Sequence, residues 1–69
     1  METISIQLNG EPQTQPAAQT VQGLIDQLEL SNKRYAVEIN GILVPRSTYP
    51  QHTLQANDHI EIVQAIGGG

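Results

Sequence analysis

Residues Tyr35-Ala36-Val37-Glu38-Ile39-Asn40-Gly41-Ile42-Leu43-Val44-Pro45 carry the reading that decides the fold class. Tyr35, Val37 and Ile39 alternate with Ala36 and Glu38, the two-residue period of a strand with one buried face. Asn40-Gly41 follows. A two-residue type I′ hairpin turn needs positive φ at both central positions, and Asn-Gly is the pair that adopts it most readily. The chain therefore turns back into a short strand, Ile42-Leu43-Val44, which Pro45 ends because it has no N–H to give a ladder.

Toward the N-terminus the same device occurs again. Ile4, Ile6 and Leu8 alternate with Thr3, Ser5 and Gln7, and Asn9-Gly10 forms the turn. The return segment, residues 11–17, contains Pro12 and Pro16, which places it at a sheet edge. Between the two hairpins Val21, Leu24, Ile25 and Leu28 recur at helical spacing. They predict a helix over residues 20–29 with Thr20 as N-cap, and Gln22, Asp26, Gln27 and Glu29 on its solvent side. Gly23 costs this helix up to ~1 kcal/mol relative to Ala, which points to a close approach by a neighbour. Ser31-Asn32 ends the helix, and Lys33 and Arg34 stand where cations suit the negative end of its dipole.

Beyond Pro45, residues 46–57 read as a loop anchored by Tyr49 and Leu54. Residues 59–65 read as a last strand with Ile60 and Ile62 inward. One amphipathic helix and a mostly antiparallel sheet must bury their apolar faces against each other. That makes a two-layer α+β domain with the helix across one sheet face.

Composition limits what such a domain does. In 69 residues there are eight Ile, six Leu and four Val, but no Cys, Phe or Trp. One aliphatic core must carry the stability, without disulfides or Cys-bound zinc. Ligand pockets take about 300–1,000 Å³, and a domain this small has little room to enclose one. Lys33, Arg34 and Arg46 face seven acids, for a net charge of −4. Three cations are too few for nucleic acid and disfavour an anionic membrane; a basic protein surface is the better electrostatic match. The N-terminus opens Met1-Glu2-Thr3 without an apolar run, so the expected compartment is the cytoplasm. No nucleophile-elbow serine, no metal-binding His/Cys spacing and no glycine-rich loop before a helix is present. His52 and His59 read as solvated loop or strand-edge residues.

The sequence ends Gly67-Gly68-Gly69 directly after a strand. Glycines have no side chains and thread narrow slots. A terminal α-carboxylate on an unhindered carbon becomes an electrophile once a partner converts it to an acyl-adenylate.

With these features the chain resembles the ubiquitin-like β-grasp sulfur carriers, and in particular those of thiamine biosynthesis. Residues 37–47 (Val37-Glu38-Ile39-Asn40-Gly41-Ile42-Leu43-Val44-Pro45-Arg46-Ser47) look like that family's N-G-x-x-V-P-R-S segment. Thr20-Val21 with Leu24-Ile25 matches its helix start, and Asn57-Asp58-His59-Ile60-Glu61-Ile62-Val63 with Gly67-Gly68-Gly69 matches its last strand and tail. Asn57 stands where the family usually has Gly, and Tyr49 where it often has Trp.

The resemblance implies a β-grasp domain over residues 1–66, with a mixed sheet of four to five strands, and a flexible tail over residues 67–69. It implies a carrier rather than an enzyme, with no bound cofactor, metal or catalytic residue of its own. An E1-like adenylyltransferase would use ATP and Mg²⁺ to adenylate Gly69. A cysteine-derived persulfide donor would supply sulfur, and the Gly69 thiocarboxylate would donate it to thiazole synthase. Gly67 and Gly68 would give the tail its reach. Val63, Ala65 and Ile66, near the tail, are candidates for a partner surface or for partial core contact. Arg46 is a candidate either for that surface or for holding the loop at Ser47. Two alternatives stay open: the small subunit of molybdopterin synthase, with the same tail chemistry, and a ubiquitin-like modifier or interaction module.

Overall fold

The computed structural model describes residues 2–64. Its elements run β1 (Thr3–Leu8), β2 (Glu11–Pro16), α1 (Val21–Gln27), β3 (Tyr35–Ile39), β4 (Ile42–Leu43), a 3-10 helix (Arg46–Gln51) and β5 (His59–Gln64). The five strands form one sheet in the order β2-β1-β5-β3-β4. The β1–β5 pairing is parallel, while β1–β2, β3–β4 and β3–β5 are antiparallel. The first and last strands thus meet in the middle of the sheet. This mixed sheet with one helix across it is the β-grasp arrangement that the resemblance implies.

Both Asn-Gly turns form with positive φ at each residue, 50° and 85° at Asn9-Gly10, 54° and 84° at Asn40-Gly41. β2 lies at the edge, as its prolines require. Pro12 and Pro16 pair with Gln7 and Thr3. These are the alternate positions whose N–H would point away from β1, so the ladder loses nothing. Asn57 takes a φ of 70°, the left-handed turn for which Asn serves next best after Gly.

Helix α1 starts as read, with the Thr20 hydroxyl accepting from Gly23 N–H at 3.1 Å. It stops earlier than residue 29. Gln27 is its last residue and Leu28 its C-cap. Glu29 turns left-handed at φ 58°, Glu29 N–H bonds to Asp26 and Leu30 N–H to Ile25. This is a Schellman closure, with Leu30 packed against the core. Ser31-Asn32 therefore does not end the helix, and no basic residue lies in its last turn. The loop expected over residues 46–57 also contains more structure than its sequence suggests, since Arg46–Gln51 forms the 3-10 helix.

The core joins Val21, Leu24 and Ile25 of α1 to Ile6, Val37, Ile39 and Ile60 of the sheet, with Val44, Tyr49 and Leu54 closing the open side. The close approach at Gly23 comes from the Gln19 side chain, whose amide occupies the space a Cβ would need. Gln19 in turn donates to Gln15 at 3.2 Å, and Gln15 donates to Gln13 and Gln27. Gln15 is only 3% exposed. Its amide is thus satisfied at both ends, and it ties the edge strand β2 to the helix.

Strand β5 is pinned by the two turn asparagines. β1 stops at Leu8, and the Asn9 side-chain oxygen accepts from Ile62 N–H at 2.8 Å beyond that point. On the other side Asn40 accepts from His59 N–H at 3.0 Å and donates to the Asp58 carboxylate at 3.0 Å. Asp58, 7% exposed, also accepts from Gln55 N–H at 2.8 Å.

Among the described residues no helix is long and apolar enough to cross a membrane.

Two predictions follow from the polar anchors and the aromatic one. Asn9 uses only its oxygen on Ile62, so Asn9→Asp keeps that bond and changes stability by no more than about 0.5 kcal/mol. Asn40→Asp loses the donor to Asp58 and sets two carboxylates together, costing about 1–3 kcal/mol in urea denaturation. Equal effects would show that the asparagine contacts do not set the strand. For Tyr49, burial raises the hydroxyl above its ordinary value of 10.0; neighbouring Tyr35 adds to the rise and Arg46 opposes it. The unfolded chain then loses this proton first, so stability intact below pH 10.0 falls as pH climbs through the folded value. Tyr49→Phe should flatten that alkaline fall in thermal melts, and an unchanged slope would assign it to other groups.

Candidate functional site

The alternation of β5 sets which residues face the helix and which face away. Ile60 is buried and Ile62 packs against the core. Glu61 and Val63 then lie on the opposite sheet face, where Val63 is 62% exposed. Of the two readings of Val63, core contact and outward display, the structure supports display. Ala65, Ile66, Gly67, Gly68 and Gly69 lie outside the described residues, so the structure locates the root of the tail at Gln64 but not the tail itself.

Cross-strand register assembles the rest of this face. Val63 pairs with Ala36, and Glu61 pairs with Glu38, which pairs with Leu43 of β4. Leu43 is 63% exposed. Val63, Ala36 and Leu43 therefore share one sheet surface, with Glu38 and Glu61 directly opposite each other. Like charges in that position disfavour strand pairing. The sequence reading missed Leu43. The signal was present, because a two-residue turn at Asn40-Gly41 sets Leu43 opposite Glu38 and so on the outward face.

Arg46 begins the 3-10 helix. Its guanidinium carbon lies 4.4 Å from the centroid of the Tyr35 ring, and its Nη2 donates to the Lys33 carbonyl at 3.3 Å. Tyr35 stacks on Tyr49 with centroids 6.4 Å apart. Arg46 thus fastens the start of the 3-10 helix to the start of β3 while staying exposed. Tyr35 is also the register partner of Gln64, so Arg46 stands at the root of the tail.

The described residues offer no catalytic constellation. They contain no group of three or more metal-ligating side chains. His52 caps the 3-10 helix and His59 opens β5. An open groove of about 510 Å³ runs beneath β4 among Ile39, Ile42, Val44, Thr48, His52 and Asp58. Its one carboxylate, Asp58, is already engaged by Asn40 and Gln55. The exposed apolar side chains Val63 and Leu43 are suited to contact with another surface.

Known proteins place this arrangement. A thiazole synthase of Magnetococcus marinus is 44% identical over 66 residues, 96% of this chain and 20% of that protein. The chain thus spans about a fifth of that relative. The sulfur carrier protein ThiS of Escherichia coli is 36% identical over 66 residues, 96% of this chain and all of that protein. The crystal structure of a thiamine biosynthesis protein (ThiS) from Geobacter metallireducens superposes with a TM-score of 0.80 at 26% identity, covering 96% of this chain and 100% of that one. The ThiS family model matches residues 6–69. With the family model matching nearly all of it and the fold in agreement, the chain belongs to the ThiS family.

Proposed function

We propose that this protein is a sulfur carrier in thiamine biosynthesis, with Gly69 as the residue that carries the sulfur. The observation that supports this most is the placement of β5. It runs through the centre of a rigid sheet and ends beside an exposed apolar face, and the sequence continues from there to Gly67-Gly68-Gly69. The domain spans residues 1–66 and presents residues 67–69 as a tail to a partner's active site.

An E1-like adenylyltransferase uses ATP and Mg²⁺, both bound by the enzyme. An oxygen of the Gly69 carboxylate attacks the α-phosphorus, pyrophosphate leaves, and an acyl-adenylate remains. The outer sulfur of a cysteine-derived persulfide attacks the acyl carbon and AMP leaves, giving an acyl disulfide. A thiol then attacks the donor-side sulfur, forming a disulfide with the donor and releasing the Gly69 thiocarboxylate. Thiazole synthase then accepts the sulfur. The thiazole synthase of Magnetococcus marinus, which carries a stretch similar to this chain, supports that partner. The carrier supplies binding and delivery, and its partners supply catalysis. Docking uses the outer sheet face at Val63 and Leu43, with Ala65 and Ile66 as further partner contacts.

Incubation with the adenylyltransferase, ATP and a persulfide source should add to the intact mass the difference between sulfur and oxygen, located on Gly69. Deleting Gly69 should abolish the gain with an unchanged melting curve. A protein that never gains the sulfur overturns the proposal. Val63→Asp and Leu43→Asp sit in solvent and should alter stability by no more than about 0.5 kcal/mol. Each should weaken adenylyltransferase binding by about tenfold or more. Undiminished binding would move the docking surface elsewhere.

A further inference from the structure

All three cations of the chain lie between residues 33 and 46, and the seven acids are spread from Glu2 to Glu61. The fold draws the cations together. Arg46 donates to the Lys33 carbonyl and lies over Tyr35, with Arg34 between those two in the chain. All three are exposed. Tyr35 faces Gln64 across the sheet, so the Arg46 guanidinium and the backbone of Lys33 and Arg34 lie at the end of the sheet where Gln64 stands.

Their role in the helix does not account for this. α1 closes at Leu28 with no basic residue in its last turn, and the dipole effect fades within that turn. Arg46 is also held in place before any partner arrives. Its guanidinium has five N–H donors in a planar fork, its face rests on Tyr35, and the Lys33 carbonyl takes one donor.

We propose that Lys33, Arg34 and Arg46 form a cationic seat that docks on an acidic rim around the mouth of the adenylyltransferase slot. This rests on the carrier reading given above. Reach decides what the seat touches. Five residues follow Gln64, and when extended they span up to about 17 Å. Gly69 in a slot can therefore lie far from the seat, which itself meets the surface at the mouth. Nucleic acid is a poor occupant, because three cations cannot match the 6–10 phosphate contacts of a typical binder.

The adenylyltransferase is the partner that must use the seat. It takes the carrier with a plain carboxylate, before any sulfur marks the tail, and so must recognise the folded domain. The charge is also polarised along the strands. Glu38 and Glu61 lie two residues farther from the Tyr35–Gln64 end of the sheet than the Ala36–Val63 pair, on the face opposite to Tyr35. A partner with acids at the mouth and a cation further out fits the domain in one orientation, and such fields act mainly on encounter rate and orientation.

The test is stopped-flow association of the intact chain with the adenylyltransferase across a range of salt. The variant Lys33→Gln/Arg34→Gln is compared with Gln7→Glu/Thr14→Glu. Both shift net charge equally, but the second pair lies on β1 and β2, away from the root. The seat predicts association slowed by about fivefold or more at low salt, with a flatter salt dependence, for the first variant only. Adenylation kcat at saturating carrier stays unchanged. Equal slowing by both variants, or by neither, overturns the seat while leaving the carrier reading intact. Wild-type chain that does not bind the adenylyltransferase at all overturns the carrier reading and the seat with it.

Discussion

The register of β5 is the constraint on which the rest depends. A slip of one residue would exchange its two faces, burying Val63 and exposing Ile62 and Ile60. Backbone pairing with β1 and β3 favours the observed register, and two side chains make it specific. Asn9 meets Ile62 N–H just where β1 runs out, supplying the acceptor that a longer strand would have offered. Asn40 meets His59 N–H and Asp58 together. Each contact fits one β5 position only. The residues that make the hairpin turns thus also align the strand that leads to the tail.

Much of this was legible in the sequence because it rests on local rules. Alternation exposed the strands, Asn-Gly the turns, Thr20 the start of the helix, and Pro12 and Pro16 the edge. Other features depend on contacts that no local pattern encodes. The parallel union of β1 with β5 joins opposite ends of the chain. The helix ends at Gln27, and Glu29 closes it in a left-handed conformation that Glu seldom adopts, with Leu30 packed against the core. The 3-10 helix at Arg46–Gln51 has no apolar periodicity to reveal it.

The candidate site divides in the same way. Val63 was legible from strand alternation, and the structure confirms its exposure. Leu43 was legible only once the turn geometry was carried across to β4. The gathering of Lys33, Arg34 and Arg46 was not legible, because their distance in the chain hides the contact between the Lys33 carbonyl and Arg46. The glycines of the tail were prominent in the sequence and lie beyond the residues the structure describes. Small size also takes on meaning in this fold. A domain with no room for an enclosed substrate still offers a firm sheet, with Gln15 fastening its weakest edge to the helix, and a surface beside the strand that ends at the tail.

Genetic rescue tests the central claim most directly. The gene for this chain is placed in a bacterium lacking its thiamine sulfur carrier and, separately, in one lacking the small subunit of molybdopterin synthase. Growth without thiamine in the first, no rescue of the second, and loss of growth when one residue is added after Gly69 are the results predicted. Rescue of only the molybdenum-cofactor mutant, or thiamine-independent growth with Gly69 blocked, would contradict the account.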